Sequence, residues 1–212
     1  MYYFVRHGKL NLPYKNHGEM PFEVLVDLAS GKLSPPIDEK ITRPLIERIS
    51  MFVPFKRLEK IYTSPSRRCK ETASLVSDYI EKKFQRRPRI IILQELKEIH
   101  FDLKKIYALP PKPISIEAIN QSVFRAMLSG NGAKPIKEAY SRIRKIFSTL
   151  KREGTEETML ITHDFLMRAI EIYSENGGVP KRTTHEDLLQ TQRNSYLQGF
   201  AVQLSPRKFL PL

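Results

Sequence analysis

The tripeptide Arg6-His7-Gly8 places a guanidinium, an imidazole and a glycine directly after a short apolar segment, Tyr2 to Val5. A neutral imidazole can act as a nucleophile because one ring nitrogen keeps a free lone pair. In open α/β sheets, ligands bind beyond the carboxyl ends of the strands, so Arg6 and His7 are expected at such a site. Gly8 would let the backbone turn sharply and approach a ligand closely. The alternative is a structural histidine beside a surface arginine.

The rest of the chain alternates between strand-like and helix-like segments. The predicted strands are apolar and short, and they cover Tyr2–Val5, Leu58–Tyr62, Arg89–Leu93 (expected to be buried on both faces), Thr158–Thr162 and Arg193–Leu204. The predicted helices cover Asp38–Phe52, Ser64–Phe84, Ser115–Leu128, Pro135–Arg152 and Phe165–Tyr173, with one helical turn through Phe22–Leu28. This alternation predicts an α/β fold, a three-layer sandwich in which a mainly parallel sheet has helices on both faces.

Length and composition indicate a single globular domain over residues 1–212 that can bury a substantial core. The chain reaches its first strand at once, which leaves no room for a signal peptide, and no apolar run approaches the roughly 20 residues of a membrane span. The single cysteine, Cys69, excludes an internal disulfide and fits a reducing compartment. We therefore expect a cytoplasmic protein without a membrane partner.

Four segments carry a resemblance to one known family. Arg6-His7-Gly8 follows the first strand, Tyr62–Ala73 reads Tyr-Thr-Ser-Pro-Ser-Arg-Arg-Cys-Lys-Glu-Thr-Ala, Leu96–Phe101 reads Leu-Lys-Glu-Ile-His-Phe, and Met159–His163 is an apolar strand that ends in a histidine. In type and order these segments resemble the histidine phosphatase superfamily, which includes the cofactor-dependent phosphoglycerate mutases. A weaker match, Gly132–Glu138 with Arg142, is similar to a family segment that opens a helix. The family's variable cap would lie at about residues 102–134.

The resemblance implies a phosphatase of the histidine acid phosphatase type that works through a phosphohistidine. His7 would be the nucleophile, and Arg6 and Arg68 would bind the phosphate through charge-assisted hydrogen bonds. His163 would take part in catalysis and, if protonated, add a third cation. Glu98 would protonate the leaving group. Glu95 is the competing candidate for this acid, because Leu93-Gln94-Glu95 has a similar pattern.

Several positions depart from the family pattern. Lys9 and Leu10 replace a glutamate and a hydroxyl residue, and Pro13 replaces an asparagine that contacts phosphate in the family. Asn11, or else Asn16 or His17, is a candidate to supply the lost contact. Asp102 and Asp164 stand where glycines usually follow the phenylalanine and the second histidine. We expect Asp164 to cap the helix that opens at Phe165, because aspartate is a favourable N-cap residue.

No metal or other cofactor is expected, because the five histidines lack the ligand spacing of a metal site and no phosphate-binding P-loop signature is present. The net charge of +13 implies attraction to anions. We expect a small phosphorylated substrate, including one with several negative charges, and no nucleic-acid partner, because aromatic and basic residues do not interleave. The cations expected to steer such a substrate are Lys9, Lys104, Lys105, Lys112 and Lys134.

Three functions remain open from the sequence. The first is a phosphomonoesterase, the second a mutase of the phosphoglycerate mutase type, and the third a weakly catalytic or inactive protein that binds phosphate or another anion. The short cap and the altered residues Lys9 and Leu10 argue against the mutase. The charge of +13, together with Pro13, Asp102 and Asp164, supports the third alternative. The sequence does not specify the oligomeric state.

Overall fold

A computed structural model of the protein describes residues 1–14, 19–107, 115–133, 135–154, 157–191, 195–204 and 207–211. Six strands in these ranges form one sheet in the order β3-β2-β4-β1-β5-β6. The strands are β1 (Tyr2–Arg6), β2 (Lys60–Thr63), β3 (Arg89–Ile92), β4 (Thr158–Thr162), β5 (Gly199–Leu204) and β6 (Arg207–Pro211). The first four strands of this order are parallel, whereas β5 is antiparallel to β1 and β6 is antiparallel to β5. The predicted α/β fold with a mainly parallel sheet is confirmed.

Eight α-helices lie within the part of the chain that the structure describes. They are α1 (Phe22–Ser30), α2 (Glu39–Ile49), α3 (Arg67–Phe84), α4 (Leu103–Ile106), α5 (Ile116–Ser129), α6 (Ile136–Glu153), α7 (Asp164–Glu175) and α8 (His185–Gln190). Asp38 caps α2 as predicted, because its side chain accepts a hydrogen bond from the backbone N–H of Ile41 at 3.2 Å. The N-cap of α3 is Ser66 and not Ser64, so that helix begins later than the sequence predicted.

The sheet separates two hydrophobic cores because side chains alternate along each strand. Tyr2 and Phe4 of β1 belong to a large core that also contains residues of α5, α6 and α7. Tyr3 and Val5 point to the opposite face, into a second core with residues of α2 and α3. Both faces of the central strand β1 are therefore covered, which explains its uniformly apolar sequence.

The two ends of the sheet differ from the prediction. The segment at β3 was expected to be buried on both faces, but Ile90 and Ile92 are 40% and 52% exposed. These side chains are exposed because β3 is at the edge of the described sheet, where it pairs with β2 on one side. Strand β6 and helix α8 were not predicted, and α1 is a full helix where the sequence indicated a single turn. None of the helices within the described ranges combines the length and apolar character required to cross a membrane.

The register between β1 and β4 brings the two histidines together. Arg6 pairs with Thr162, so the next residue of each strand, His7 and His163, lies just beyond the carboxyl end of its strand. The backbone N–H of His7 donates a hydrogen bond to the carbonyl oxygen of Thr162 at 3.0 Å, which extends the pairing by one step. The two imidazole rings lie edge to face, with their centroids 5.2 Å apart.

Candidate active site

A pocket of about 130 Å³ opens where β1, β2 and β4 end. Its polar lining consists of Arg6, His7, Arg68, Glu98, Asn120 and Tyr196. The pocket therefore gathers four of the residues singled out in the sequence, although the segments that carry them lie far apart in the chain. A larger depression of about 790 Å³ lies between α1 and α4, but neither His7 nor the two arginines line it.

His7 is held as a neutral imidazole. The ring is buried, and Nδ1 lies 2.9 Å from the carbonyl oxygen of Gly8. A carbonyl can only accept, so Nδ1 carries a proton. Burial lowers the pKa of His7 well below its ordinary value, and the positive charges of Arg68 and Arg6 lower it further. With Nδ1 protonated and the pKa of the ring lowered, Nε2 of His7 carries the lone pair.

Gly8 supports this arrangement through space and not through an unusual backbone angle, because it is absent from the glycines with positive φ. A Cβ atom on Gly8 would lie 2.5 Å from Cγ2 of Thr42, so any side chain here would force the buried Thr42 side chain of α2 to move. The backbone N–H of Gly8 donates to Oγ1 of Thr72 at 2.9 Å, which ties the segment to α3. The predicted sharp turn is therefore better described as a close approach between helix α2 and the residues after β1.

Arg6 lies against a residue that the sequence did not identify. Its guanidinium carbon is 4.7 Å from the centre of the Tyr196 ring, in the geometry of a cation–π contact. The same ring is 5.8 Å from the ring of His7, and the ammonium group of Lys9 lies 5.2 Å from its centre. Tyr196 precedes β5 in a segment where Leu197 has a φ of 53°. No local motif marked this residue, because only the antiparallel pairing of β5 with β1 brings it to the pocket.

Arg68, and not its neighbour Arg67, faces the pocket. Arg67 is exposed and forms a salt bridge with Glu71 at 2.6 Å, one turn later in α3. The guanidinium of Arg68 instead contacts Nδ1 of His163, at 3.2 Å from Nε and 3.1 Å from Nη2. An arginine has only donors, so Nδ1 of His163 is an acceptor and carries no proton.

His163 is therefore neutral, which differs from the expectation of a third cation. Its Nε2 lies 2.9 Å from Oγ of Ser64 and carries the proton. Burial lowers the pKa of His163 well below its ordinary value, and the charge of Arg68 is the next cause. The ring thus positions Arg68 through an acceptor nitrogen. Ser64, the partner of the ring, is a second residue that the sequence did not assign to the site.

Glu98 lines the pocket, whereas Glu95 does not. One carboxylate oxygen of Glu98 accepts hydrogen bonds from the backbone N–H groups of Ile99 at 2.9 Å and Leu166 at 3.2 Å. Burial raises the pKa of Glu98, and the negative charge of Asp164 adds to this, against the opposite effect of the two N–H groups and Arg68. A carboxyl group with a raised pKa can hold a proton for transfer, which is the property required of the predicted acid.

Asn11 does not reach the pocket. The backbone of Leu10 forms an isolated bridge with Ile37, and the side chain of Leu10 lines the pocket. Successive side chains of an extended segment point to opposite sides, so Asn11 faces away and is exposed. The prediction that Asn11 binds phosphate is therefore not supported. Pro13 is exposed as well, and the other two candidates, Asn16 and His17, lie outside the described residues.

The two aspartates that replace family glycines have structural partners. The side chain of Asp102 caps α4 by accepting from the backbone N–H of Lys104 at 3.0 Å. Asp164 was predicted to be an N-cap, but His163 holds that position and Asp164 is the first residue of α7. It forms a buried salt bridge of 3.2 Å with Arg168. These partners orient both carboxylates, so neither replacement by itself excludes anion binding.

The lysines expected to steer the substrate do not form one cluster at the pocket. Lys104 is exposed and pairs with Glu23 at 2.9 Å, and Lys105 lines the larger depression beside Asp102. Lys9 lies against Tyr196, near the pocket but not among its lining residues. The remaining two positions, Lys112 and Lys134, lie outside the described residues.

Cys69 is a core residue. It is fully buried, and burial raises the pKa of its thiol to about 12. The thiol sulfur lies 3.5 Å from Nε2 of His163, so it packs beneath the histidine pair. Among the residues that the structure describes, no three His, Cys, Asp or Glu side chains are grouped as metal ligands.

Comparison with known families identifies the fold. Residues 39–186 match the model of the histidine phosphatase superfamily, branch 1. The chain belongs to this superfamily. Members of the superfamily are phosphatases or mutases. The match confirms the resemblance inferred from the four sequence segments. A comparison with curated protein sequences gives no significant match.

Solved structures of superfamily members have the same architecture. Bacillus stearothermophilus YhfR is 18% identical with a TM-score of 0.66, and the alignment covers 99% of this chain and 94% of that one. The phosphoserine phosphatase of Entamoeba histolytica, crystallised with 3-phosphoglyceric acid, is 12% identical with a TM-score of 0.64 and coverages of 100% and 96%. A phosphoglycerate mutase from Bacillus anthracis is 18% identical with a TM-score of 0.59 and coverages of 100% and 91%. At these identities the likeness establishes the fold.

Proposed function

We propose that this superfamily member is a phosphomonoesterase that hydrolyses a phosphate ester through a phosphohistidine on His7. The observation that carries the proposal is the state of His7. Its Nδ1 is bound to the carbonyl oxygen of Gly8, in a pocket that it shares with Arg6, Arg68 and Glu98. A neutral imidazole between two guanidinium groups can attack a phosphorus atom whose equatorial oxygens those groups bind.

In the first step the lone pair on Nε2 of His7 forms the N–P bond, and the P–O bond to the leaving group breaks. Glu98 gives its proton to the departing oxygen, so the alcohol leaves neutral. The carbonyl of Gly8 stabilises the positive charge that develops on the imidazole ring, because it accepts from the opposite nitrogen. Arg6 and Arg68 bind the negative oxygens of the phosphoryl group throughout.

In the second step a water molecule attacks the phosphorus and the N–P bond breaks. The carboxylate of Glu98 takes the proton from that water and returns to its starting form. Inorganic phosphate leaves, and His7 is again neutral. The raised pKa of Glu98 suits both directions of this proton transfer, because the carboxyl group is a competent acid before the carboxylate becomes a base.

Trapping the intermediate tests this proposal directly. The protein would be mixed with ³²P-labelled phenyl phosphate, quenched in alkali within milliseconds, and examined for protein-bound label. A phosphohistidine is stable in alkali and is lost in acid, so the label should survive the first treatment only. His7→Asn should abolish both the label and the release of phosphate, whereas His185→Asn, which changes a half-buried histidine of α8 that does not line the pocket, should retain both.

Three results would contradict the mechanism. They are label that survives acid, phosphate release by His7→Asn, and activity lost in a chelator but restored by a divalent cation. A mutase would give a different result. In that case the labelled enzyme would pass its phosphoryl group to added phosphoglycerate faster than to water.

A further inference from the structure

The walls of the pocket differ from its floor. Three of the described residues that line the pocket are charged, namely Arg6, Arg68 and Glu98. They lie with His7 near the ends of the strands. The walls are aliphatic and aromatic. They are formed by α1, by the start of α4 with the residues just before it, and by α5 and α7. Their apolar side chains include Leu25, Leu28, Phe101, Leu103, Ile119 and Phe165. A substrate bound at the floor would therefore have its leaving group in contact with hydrocarbon.

None of the described residues that line the walls is charged. Lys9 lies 5.2 Å from the centre of the Tyr196 ring but does not itself line the pocket. Lys104, the cation nearest to Leu103 in sequence, is directed to Glu23 at 2.9 Å. Lys105 belongs to the separate depression, where Asp27 and Asp102 are also present. The wall's neutral hydrogen-bonding side chains within the described ranges are Asn120 and Tyr196. An anionic leaving group would lose its hydration there without gaining a charged partner among the described lining residues, which is costly.

We propose that the substrate's leaving group is uncharged and apolar, with one hydrogen bond to Asn120. This inference rests on the proposed function, and it replaces the expectation of a multiply anionic substrate.

Binding of a matched pair of non-hydrolysable phosphonates tests the inference without requiring turnover. Benzylphosphonate and 4-carboxybenzylphosphonate present the same phosphonate and the same ring, and they differ in one remote charge. By titration calorimetry in phosphate-free buffer, benzylphosphonate should bind at least tenfold more tightly than 4-carboxybenzylphosphonate. It should also bind more tightly than inorganic phosphate. Equal or tighter binding of the carboxylate compound would overturn the inference, as would binding of neither phosphonate.

A charge introduced into the wall should reverse the preference. Asn120→Arg supplies the missing cation, so 4-carboxybenzylphosphonate should gain at least tenfold in affinity relative to benzylphosphonate. Asn131→Arg is the matched control, because Asn131 is exposed after α5 and does not line the pocket. The control should keep the wild-type preference. Circular dichroism would establish that both variants are folded, and the wild-type comparison stands without them.

The outcomes separate this inference from the proposed function. If benzylphosphonate binds preferentially but benzyl phosphate is not hydrolysed, the pocket has the inferred specificity and the phosphatase proposal fails. If both benzyl phosphate and 4-carboxybenzyl phosphate are hydrolysed with equal kcat/KM, the phosphatase proposal stands and the inferred specificity fails.

Discussion

Nδ1 of His163 accepts hydrogen bonds from the guanidinium of Arg68, at 3.2 Å from Nε and 3.1 Å from Nη2. The contact joins the residue after β4 to the first turn of α3, across 95 positions of the chain. It requires an acceptor on the ring, so a positive charge on His163 would break it. In the proposed mechanism the second histidine would therefore act through the orientation of Arg68, a role distinct from that of a third cation.

This relationship predicts which substitutions of His163 preserve activity. His163→Phe removes the acceptor that orients Arg68, so kcat/KM should fall by up to roughly a hundred- to a thousandfold, the usual effect of losing one preorganised donor, here Arg68. His163→Asn keeps an acceptor and should retain at least ten times the kcat/KM of His163→Lys. Steady-state rates with phenyl phosphate would measure this. A His163→Lys enzyme that outperforms His163→Asn would show that charge is the property that matters.

The two buried histidines also predict how stability depends on pH. Their pKa values are lowered in the folded protein and return to about 6.5 on unfolding, so the unfolded chain binds more protons below that pH. The contribution of the two histidines to the free energy of unfolding is therefore fully present above about pH 6.5, and it is lost as the pH falls below that value. Each histidine contributes up to about 1.4 kcal/mol per pH unit.

Urea unfolding between pH 5 and 7.5 would measure this dependence. In His163→Asn, the slope of the unfolding free energy against pH should decrease by the equivalent of about one proton. Glu98 acts in the opposite direction because its pKa is raised in the folded state. Its contribution to the free energy of unfolding therefore decreases as the pH rises above the pKa that Glu98 has in the unfolded chain. The comparison of wild type with His163→Asn isolates the histidine. Parallel curves for the two proteins would contradict a neutral, buried His163.

The loss of kcat/KM caused by removing the Glu98 carboxyl group should be larger for a poorer leaving group. Glu98→Gln should lower kcat/KM for benzyl phosphate at least a hundredfold, and for p-nitrophenyl phosphate by less than tenfold, because the nitrophenolate leaves with little protonation. With benzyl phosphate, activity should decline as the pH rises through the raised pKa of Glu98, and this limb should be missing in Glu98→Gln. Glu95→Gln is the control. If it shows the leaving-group dependence instead, Glu95 is the acid.

Reversing the charges of the two lysines in α4 should leave kcat/KM unchanged. The paired variant Lys104→Glu and Lys105→Glu changes the charge by four units, yet Lys104 is exposed and paired with Glu23, and Lys105 lies in the separate depression. We expect kcat/KM for phenyl phosphate within twofold of wild type at 0.1 M salt, where screening acts over about 10 Å. A loss of tenfold or more that disappears at high salt would restore the steering role.

The parts of the site that the sequence predicted lie next to strands. Arg6, His7, Arg68 and His163 each lie at or shortly after an apolar strand, and parallel strands bring their carboxyl ends to one edge of the sheet. Because position after a strand is a local property, it could be predicted from the sequence. The preference for Glu98 over Glu95 came from the pattern that follows it, and the geometry supports it.

The features that the sequence did not predict depend on pairing between distant segments. Tyr196 reaches Arg6 because β5 runs antiparallel to β1, and no residue near Tyr196 encodes that. The exposure of Ile92 follows from the place of β3 at the sheet edge, which an apolar sequence does not reveal. Leu10 takes the place intended for Asn11 because the bridge to Ile37 decides which side chain faces inward.

The order in which the strands leave the ribosome has a consequence for this pocket. β1 is made first, but its neighbours in the sheet are β4 and β5, which begin at Thr158 and Gly199. Both hydrogen-bonding edges of an apolar strand stay open until most of the chain has been synthesised, which exposes the nascent protein to aggregation. His163, which orients Arg68, and Tyr196, which packs on Arg6, are therefore synthesised long after His7. The capacity to bind a phosphate ester should emerge in one late step, together with the central sheet.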